Sequence, residues 1–343
     1  MLRLTAGLAS TLMLGFLLWV GRPVLVPIIA ALMVLYLLLA ASHGMGRLPL
    51  LGRAPEWLRR VLALVVLTAA LVVLVMGIGQ ELSRALAAMP QYESNLERLV
   101  SRGAALVGIA DEPLWARLRG MTLDQINPAA LIAPIVSSLS GLGSMLMLIV
   151  LYASFLLAER ASLADKIGRA MRDQAQAERM MAVLDRINDR IGRYLVVKTV
   201  VNLILGGISW VILTGLGVEF SGLWAVLIAI LNYIPYLGSV LGVAFPTIAA
   251  AAQFGNFTGP LVLAGLLSVA QMGIGGVLEP RMMGRAFNLS PFVVVVALVI
   301  WGALWGVPGA VLAVPMTASL LIVLAEFPET RPIAIMLSAD GRI

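Results

Sequence analysis

The chain has 343 residues, 61% of them hydrophobic and only 12% charged, about half the charged share of an average soluble domain. Such a composition excludes a water-soluble globular protein and predicts an all-α, polytopic membrane protein. The net charge of +6 rests on 24 basic residues, all arginine except Lys166 and Lys198, lying almost wholly between apolar runs; they read as topology determinants and headgroup contacts, with no nucleic acid as partner.

Residues 1–79 are predicted to hold the N-terminal spans. The run Leu8 to Val20, preceded by Arg3, has the length of a signal-peptide core. Gly21-Arg22-Pro23 follows in place of a small-residue cleavage site, and a second run, Val24 to Ala41, begins at once, so the pair reads as a helical hairpin broken at its tip. Val61 to Ile78 spans next. Segment 42–60 carries Arg47, Arg53, Arg59 and Arg60 against Glu56 alone and is expected on the cytoplasmic side.

Residues 80–138 are nearly balanced in charge and are expected outside, as amphipathic helical pieces broken at Pro90, Pro113 and Pro128. They should pack on neighbouring spans or another subunit, with substrate capture as a second reading. Residues 139–195 comprise a span, Leu139 to Ala158, and a basic cytoplasmic helix. In that helix Met180, Leu184, Ile187, Ile191 and Tyr194 form an apolar stripe beside arginines 172, 179, 186 and 193. A solvated helix leading into the next span, a headgroup-bound helix and a subunit contact are all open readings of it.

Residues 196–343 form the expected transport core. Val196 to Leu216 and Thr258 to Leu278 are unbroken spans. Between and after them lie two proline-broken hairpins, Gly222 to Ala252 interrupted at 232–238, and Pro291 to Leu324 interrupted at 305–309. Their flanks are short against the roughly 20 residues that cross a bilayer, so re-entry is one reading and two short tilted spans the other. Counting arginines forward places the first hairpin outside and the second inside, with both termini cytoplasmic. About six spans plus two re-entrant hairpins then make an inverted repeat, the layout of alternating access.

A broken helix at membrane depth needs protein or water to receive its freed backbone groups. Candidate pathway residues are therefore Asn232, Pro235, Gly238 and Ser239 at the first break, Gly306, Pro308 and Gly309 at the second, and Gln271 between them. Asn202, Thr247, Ser268 and Thr317 are further polar candidates, each open to a plain interhelical role. Glu279, with Arg281 and Arg285, reads either as a coupling or gating group or as a structural ion pair, and Pro280 is expected to end its helix. Gly238 and Gly309 are expected to need either positive φ or close backbone approach. No cysteine is present, which removes disulfides, thiolate metal sites and cysteine nucleophiles. With His43 as the one histidine and no hydrolase, zinc or nucleotide motif, no enzyme activity, metal or cofactor is expected.

The run from Gly222 through Asn232-Tyr233-Ile234-Pro235-Tyr236-Leu237-Gly238, then Gln271, Glu279-Pro280-Arg281 with Gly284-Arg285, Leu289-Ser290-Pro291, and Trp301 to Gly309 with Ala313-Val314-Pro315, resembles the autoinducer-2 exporter family of bacterial inner-membrane proteins. The layout matches over essentially the whole chain. The resemblance implies a permease assembled from like subunits that exports a small hydrophilic solute, the family's namesake being a furanone-type quorum signal. Some members are described as sodium or lithium/proton antiporters. The chain departs from the family at Gly273 to Gly276, where an acidic residue and an asparagine are common. The antiporter alternative asks for a midplane carboxylate that this chain does not clearly offer, and a scaffold without transport leaves two broken hairpins unexplained.

Overall fold

The computed structural model describes residues 2–47, 49, 51, 53–88, 91, 92, 94, 95, 97–99, 128–170, 173–283 and 288–341. Among them the chain is helical apart from an isolated bridge between Leu289 and Ser338. The helices are α1 (Leu2–Val20), α2 (Arg22–Met45), α3 (Glu56–Ala87), α4 (Pro128–Ala170), α5 (Gln174–Gly215), α6 (Ser221–Leu231), α7 (Leu237–Phe254), α8 (Thr258–Gly273), α9 (Glu279–Met283), α10 (Pro291–Glu326) and α11 (Arg331–Leu337), with a π turn at Ile274–Leu278. Six stretches among the described residues are long and apolar enough to cross a membrane: Arg22–Met45, Glu56–Ala85, Gln174–Gly215, Leu237–Phe254, Thr258–Met283 and Pro291–Glu326. Only 6% of the most apolar window of the second of these is buried, so its Val65, Val66, Val73 and Met76 face outward as a lipid-facing surface does.

The chain forms two compact units. The first gathers Met1–Thr68, Met145–Thr199 and Pro280–Ile343. In it, α2 buries Pro27, Ala31, Leu35, Leu38 and Ser42, a spacing of three and four that keeps one face inward. Ala31 packs with Ile149 and Ala153 of α4, and Val26 packs with Trp305 and Leu312 of α10. A further cluster joins Tyr194 and Leu195 of α5 to Val314, Ala318 and Leu321 of α10 and Ala334 of α11. The amphipathic stripe and the following span prove to be one 42-residue helix. Leu184, Ile187 and Ile191 are half-buried and Tyr194 buried, while Met180 is exposed. Polar ties add to that packing, with Tyr36 donating to Asn188 and Arg186 pairing with Glu326 at 2.7 Å.

The Gly21 break differs from the expected hairpin tip. Gly21 keeps a right-handed helical backbone, and the bonds Gly21 N to Leu17 O (2.8 Å) and Leu25 N to Gly21 O (2.9 Å) run through it. The junction is thus a bend. Pro23 has no N–H to give Trp19 O, four residues back, and the chain bends there without reversing. Next to it, Leu18 O accepts from the indole Nε1 of Trp305 at 3.0 Å.

The second unit gathers Ala69–Ser144 and Val200–Glu279. Here α6 and α7 pack against each other and α8 packs on α7. Small residues bring α5 and α6 together, since a Cβ on Gly206 would lie 3.1 Å from the Ala229 Cβ. Residues 80–138 are described only in part. Pro90, Pro113 and the rest of 100–127 lie outside the described residues, but Tyr92, Asn95 and Leu99 are placed, the last two buried.

Trp305→Phe removes the partner of a buried carbonyl and should lower stability by about 1–3 kcal/mol. A reduced midpoint of thermal unfolding in detergent checks this.

Candidate functional site

Both proline-broken segments fold back on themselves. In α10 the helix is interrupted at Gly306 (φ 66, ψ −143), which divides it into fifteen residues up to 305 and twenty from 307 to 326. The indole Nε1 of Trp301 donates to Thr317 Oγ1 at 3.1 Å, although sixteen residues of straight helix would hold them about 24 Å apart. The helix starts at Pro291, whose missing N–H costs nothing there, behind Ser290 as a weak cap to Val293 N at 3.5 Å. Trp301 and Trp305 stack with centroids 5.2 Å apart.

In the second unit Asn232 ends α6, and the chain turns through Ile234 N to Leu231 O (2.8 Å) and Leu237 N to Pro235 O (2.6 Å). Tyr236 makes the reversal with φ 61 and ψ −55, a conformation that costs a non-glycine residue on the order of 1–3 kcal/mol. The flank lengths differ from expectation. α6 has 11 residues and is short, whereas α7 has 18 and is long enough to span, because the break takes up only residues 232–236 and helix resumes at once.

The two breaks use glycine in the same way. A Cβ on Gly238 would lie 1.9 Å from Leu231 O, and a Cβ on Gly309 would lie 1.9 Å from Trp301 O. No side chain fits there. Of the two roles expected for these glycines, close approach holds at both, while positive φ falls two or three residues earlier, at Tyr236 and Gly306. Pro235 and Pro308 sit half-buried beside them.

The polar residues divide sharply. Asn232 Nδ2 donates to Asn202 Oδ1 at 2.8 Å, with the two residues 7% and 2% exposed. Asn202 Nδ2, Ser209 Oγ and Gln271 Nε2 are buried without a protein partner. Ser209 lies two turns from Asn202 on the same helix face, and Gln271 reaches over Gly242 of α7, where a Cβ would come within 3.1 Å of its Nε2. Ser239 instead donates to Tyr236 O at 2.8 Å and Thr247 to Val243 O at 2.7 Å, so these hydroxyls serve the backbone.

Pro280 does not end its helix. The π turn at Ile274–Leu278 widens the register just before it, Glu279 N bonding to Ile274 O, and helix continues to Met283. Pro280 has no N–H to return to the preceding turn, and the widened π register sits where that bond is missing. The turn falls in the glycine-rich stretch Gly273 to Gly276, and it breaks the eight-residue phase between Gln271 and Glu279. Glu279 is half-buried and Arg281 exposed, while Arg285 lies outside the described residues. Among the described residues no three of His, Asp or Glu gather as a metal site requires. Sequence reasoning missed Ser209, the strained Tyr236 and Lys198. Lys198 counts as a cytoplasmic charge by position, yet it is 4% exposed inside α5, and its place within an unbroken apolar helix was the available clue.

Residues 8–329 match the family described as AI-2E family transporter. The chain belongs to the AI-2E transporter family. It is 33% identical to the AI-2 transport protein TqsA of Escherichia coli strain K12, over 97% of this chain and 96% of that protein. A putative transport protein of Haemophilus influenzae is 31% identical over 83% of this chain and 82% of its own length, and one of Borreliella burgdorferi 31% identical over 64% and 61%. This AI-2E family member is accordingly a multi-pass membrane transporter that moves a solute across a bilayer, and not an enzyme. Of the residues that carry the family resemblance, those at 222–238 and 291–315 lie in the two hairpins.

Gly238→Val and Gly309→Val should each reduce transport at least tenfold while membrane insertion persists, checked by flux against expression level. For the amide pair, Asn232→Leu strands Asn202 and should cost about 1–3 kcal/mol, whereas Asn202→Leu with Asn232→Leu removes both partners and should cost less. Unfolding of the three variants forms the double-mutant cycle that reads it.

Proposed function

We propose that this protein exports a small, uncharged, oxygen-rich solute of the autoinducer-2 kind by alternating access, from the bacterial cytoplasmic membrane, with both termini in the cytoplasm. The supporting observation is the buried carboxamide pair at the first break. Asn202 Nδ2 and Gln271 Nε2 are donors without protein partners in the second unit, and donors of that kind suit hydroxyl or carbonyl oxygens. The hairpins enter the bilayer without crossing it and together form an inverted repeat in this reading, and like subunits assemble around their own separate pathways. In the second unit Asn232, Pro235, Gly238, Ser239 and Gln271 are pathway residues, and in the first unit Gly306, Pro308 and Gly309 are. Glu279 couples transport to the proton, and Arg281 and Arg285 gate it.

The test is flux of labelled autoinducer-2 in proteoliposomes, with and without an imposed proton gradient, in wild type and Glu279→Gln. Gradient-driven flux in wild type that falls at least tenfold in the variant is expected. Absence of flux under every gradient overturns the solute, and sodium-driven proton movement in the same vesicles then identifies an antiporter.

A further inference from the structure

One face of α7 is bare of long side chains. Its buried residues include Gly238, Gly242, Pro246 and Ala250, spaced by four so that they line up along the helix. Gly238 takes a backbone carbonyl against this face. Gly242, one turn on, takes a side chain from each neighbouring helix, since a Cβ there would lie 3.1 Å from Gln271 Nε2 of α8 and 3.6 Å from Ile228 Cγ2 of α6. Ile228 is 1% exposed, and its carbonyl accepts from Asn232 N at 3.0 Å, one turn along α6 towards the carboxamide pair.

Two polar groups without their regular partners belong to this position. Gln271 Nε2 is a buried donor with no partner among the described residues. Pro246, fully buried inside α7, has no N–H to give Gly242 O, four residues back, so that carbonyl lacks its helix partner. The neighbouring hydroxyl does not serve it, because Thr247 gives its hydrogen to Val243 O at 2.7 Å. A donor and an acceptor at one residue suit a group that both accepts and donates. A hydroxyl does both, whereas a carbonyl or ether oxygen only accepts and an ammonium only donates.

We propose that Gly242 and Gln271 form a subsite for one hydroxyl of the transported solute, Gln271 Nε2 donating to its oxygen and Gly242 O accepting from it. This rests on the reading of Gln271 as a pathway residue. The subsite lies wholly within the second unit. Gly242 is also a positioning residue, because the absence of a side chain lets an amide from α8 approach the α7 backbone. Pro246 is a second positioning residue, which acts only by withholding an N–H. Ile228 supplies an apolar wall for the carbon that bears the hydroxyl. The subsite therefore favours a hydroxylated solute over a keto or cationic one of the same size.

The test is the KM for labelled autoinducer-2 in proteoliposomes, read against kcat and against the midpoint of thermal unfolding in detergent. Gln271→Ala removes the donor, and Pro246→Ala returns an N–H to Gly242 O. Each should raise KM about fivefold, the worth of one neutral hydrogen bond, with kcat held. Gly242→Ala places a methyl group where the amide lies, so it should raise KM in wild type and add nothing to Gln271→Ala. A raised KM in Gln271→Ala beside a wild-type KM in Pro246→Ala keeps the pathway role of Gln271 and overturns the hydroxyl subsite, as do multiplied effects in the double variant. An unchanged KM in Gln271→Ala overturns that pathway role and the subsite with it. If wild type carries no autoinducer-2, the solute assignment fails and unfolding decides the geometry. Gly242→Ala should then cost more stability in wild type than in the Gln271→Ala background, where the space is vacant, and an equal change in both overturns the subsite.

Discussion

Every break in a membrane helix frees carbonyl and N–H groups that the bilayer cannot bond, and the architecture of this chain follows from how each break is resolved. The end of α1 gives Leu18 O to an indole. The end of α7 turns through Gly255, whose N–H returns to Ala251 O at 3.1 Å. The π turn carries the chain past Pro280 by bonding Glu279 N to Ile274 O. At the two reversals the solution is tighter, since the arms close until Gly238 touches Leu231 O and Gly309 touches Trp301 O. A methyl group at either glycine would occupy the carbonyl's own space, so these positions tolerate glycine for want of volume and not for want of a left-handed backbone.

Local resolution of the breaks leaves the side-chain amides available. In a span with most hydroxyls bonded to their own helix, Asn202 and Gln271 keep buried donors without protein partners. Full satisfaction would have given a more rigid unit, because an unpaired buried donor carries a desolvation cost of about 1–3 kcal/mol. The packing around them is fine-grained. Gly206 and Gly242 bring α5 and α8 to within side-chain contact of the hairpin, and no large residue would let the amides reach it.

The units also show where polar contacts outside the spans do structural work. In the first unit Arg186 to Glu326 and Tyr36 to Asn188 hold the amphipathic part of α5 to the helices beside it, adding orientation to an apolar stripe that by itself fixes only depth. Exposed pairs of this kind contribute little to stability individually, and their value lies in register. In the second unit one residue, Gln253, spans the base of a hairpin with its side chain and receives Asn95 on its backbone carbonyl, so a single position joins three segments.

The sequence by itself determined the class, the helices and the location of the breaks. Apolar runs of span length, proline and glycine at 235, 238, 306, 308 and 309, and a scarcity of charge are local properties that need no fold to read. Asn232, Gln271 and the two glycines stood out in the sequence as polar or backbone-permissive residues inside apolar runs, and the structure places Asn232 and the glycines at the breaks. Tertiary structure decided what each break does. Proline predicts an interruption and says nothing of its angle, so the Gly21-Arg22-Pro23 break proved a bend, Pro280 was carried through by a π turn, and the breaks at 232–236 and 305–309 reversed the chain. Likewise no pattern announces that Trp305 will serve Leu18 or that Asn232 will meet Asn202, since hydrogen-bond partners separated by 287 and 30 residues are fixed by packing and not by spacing along the chain.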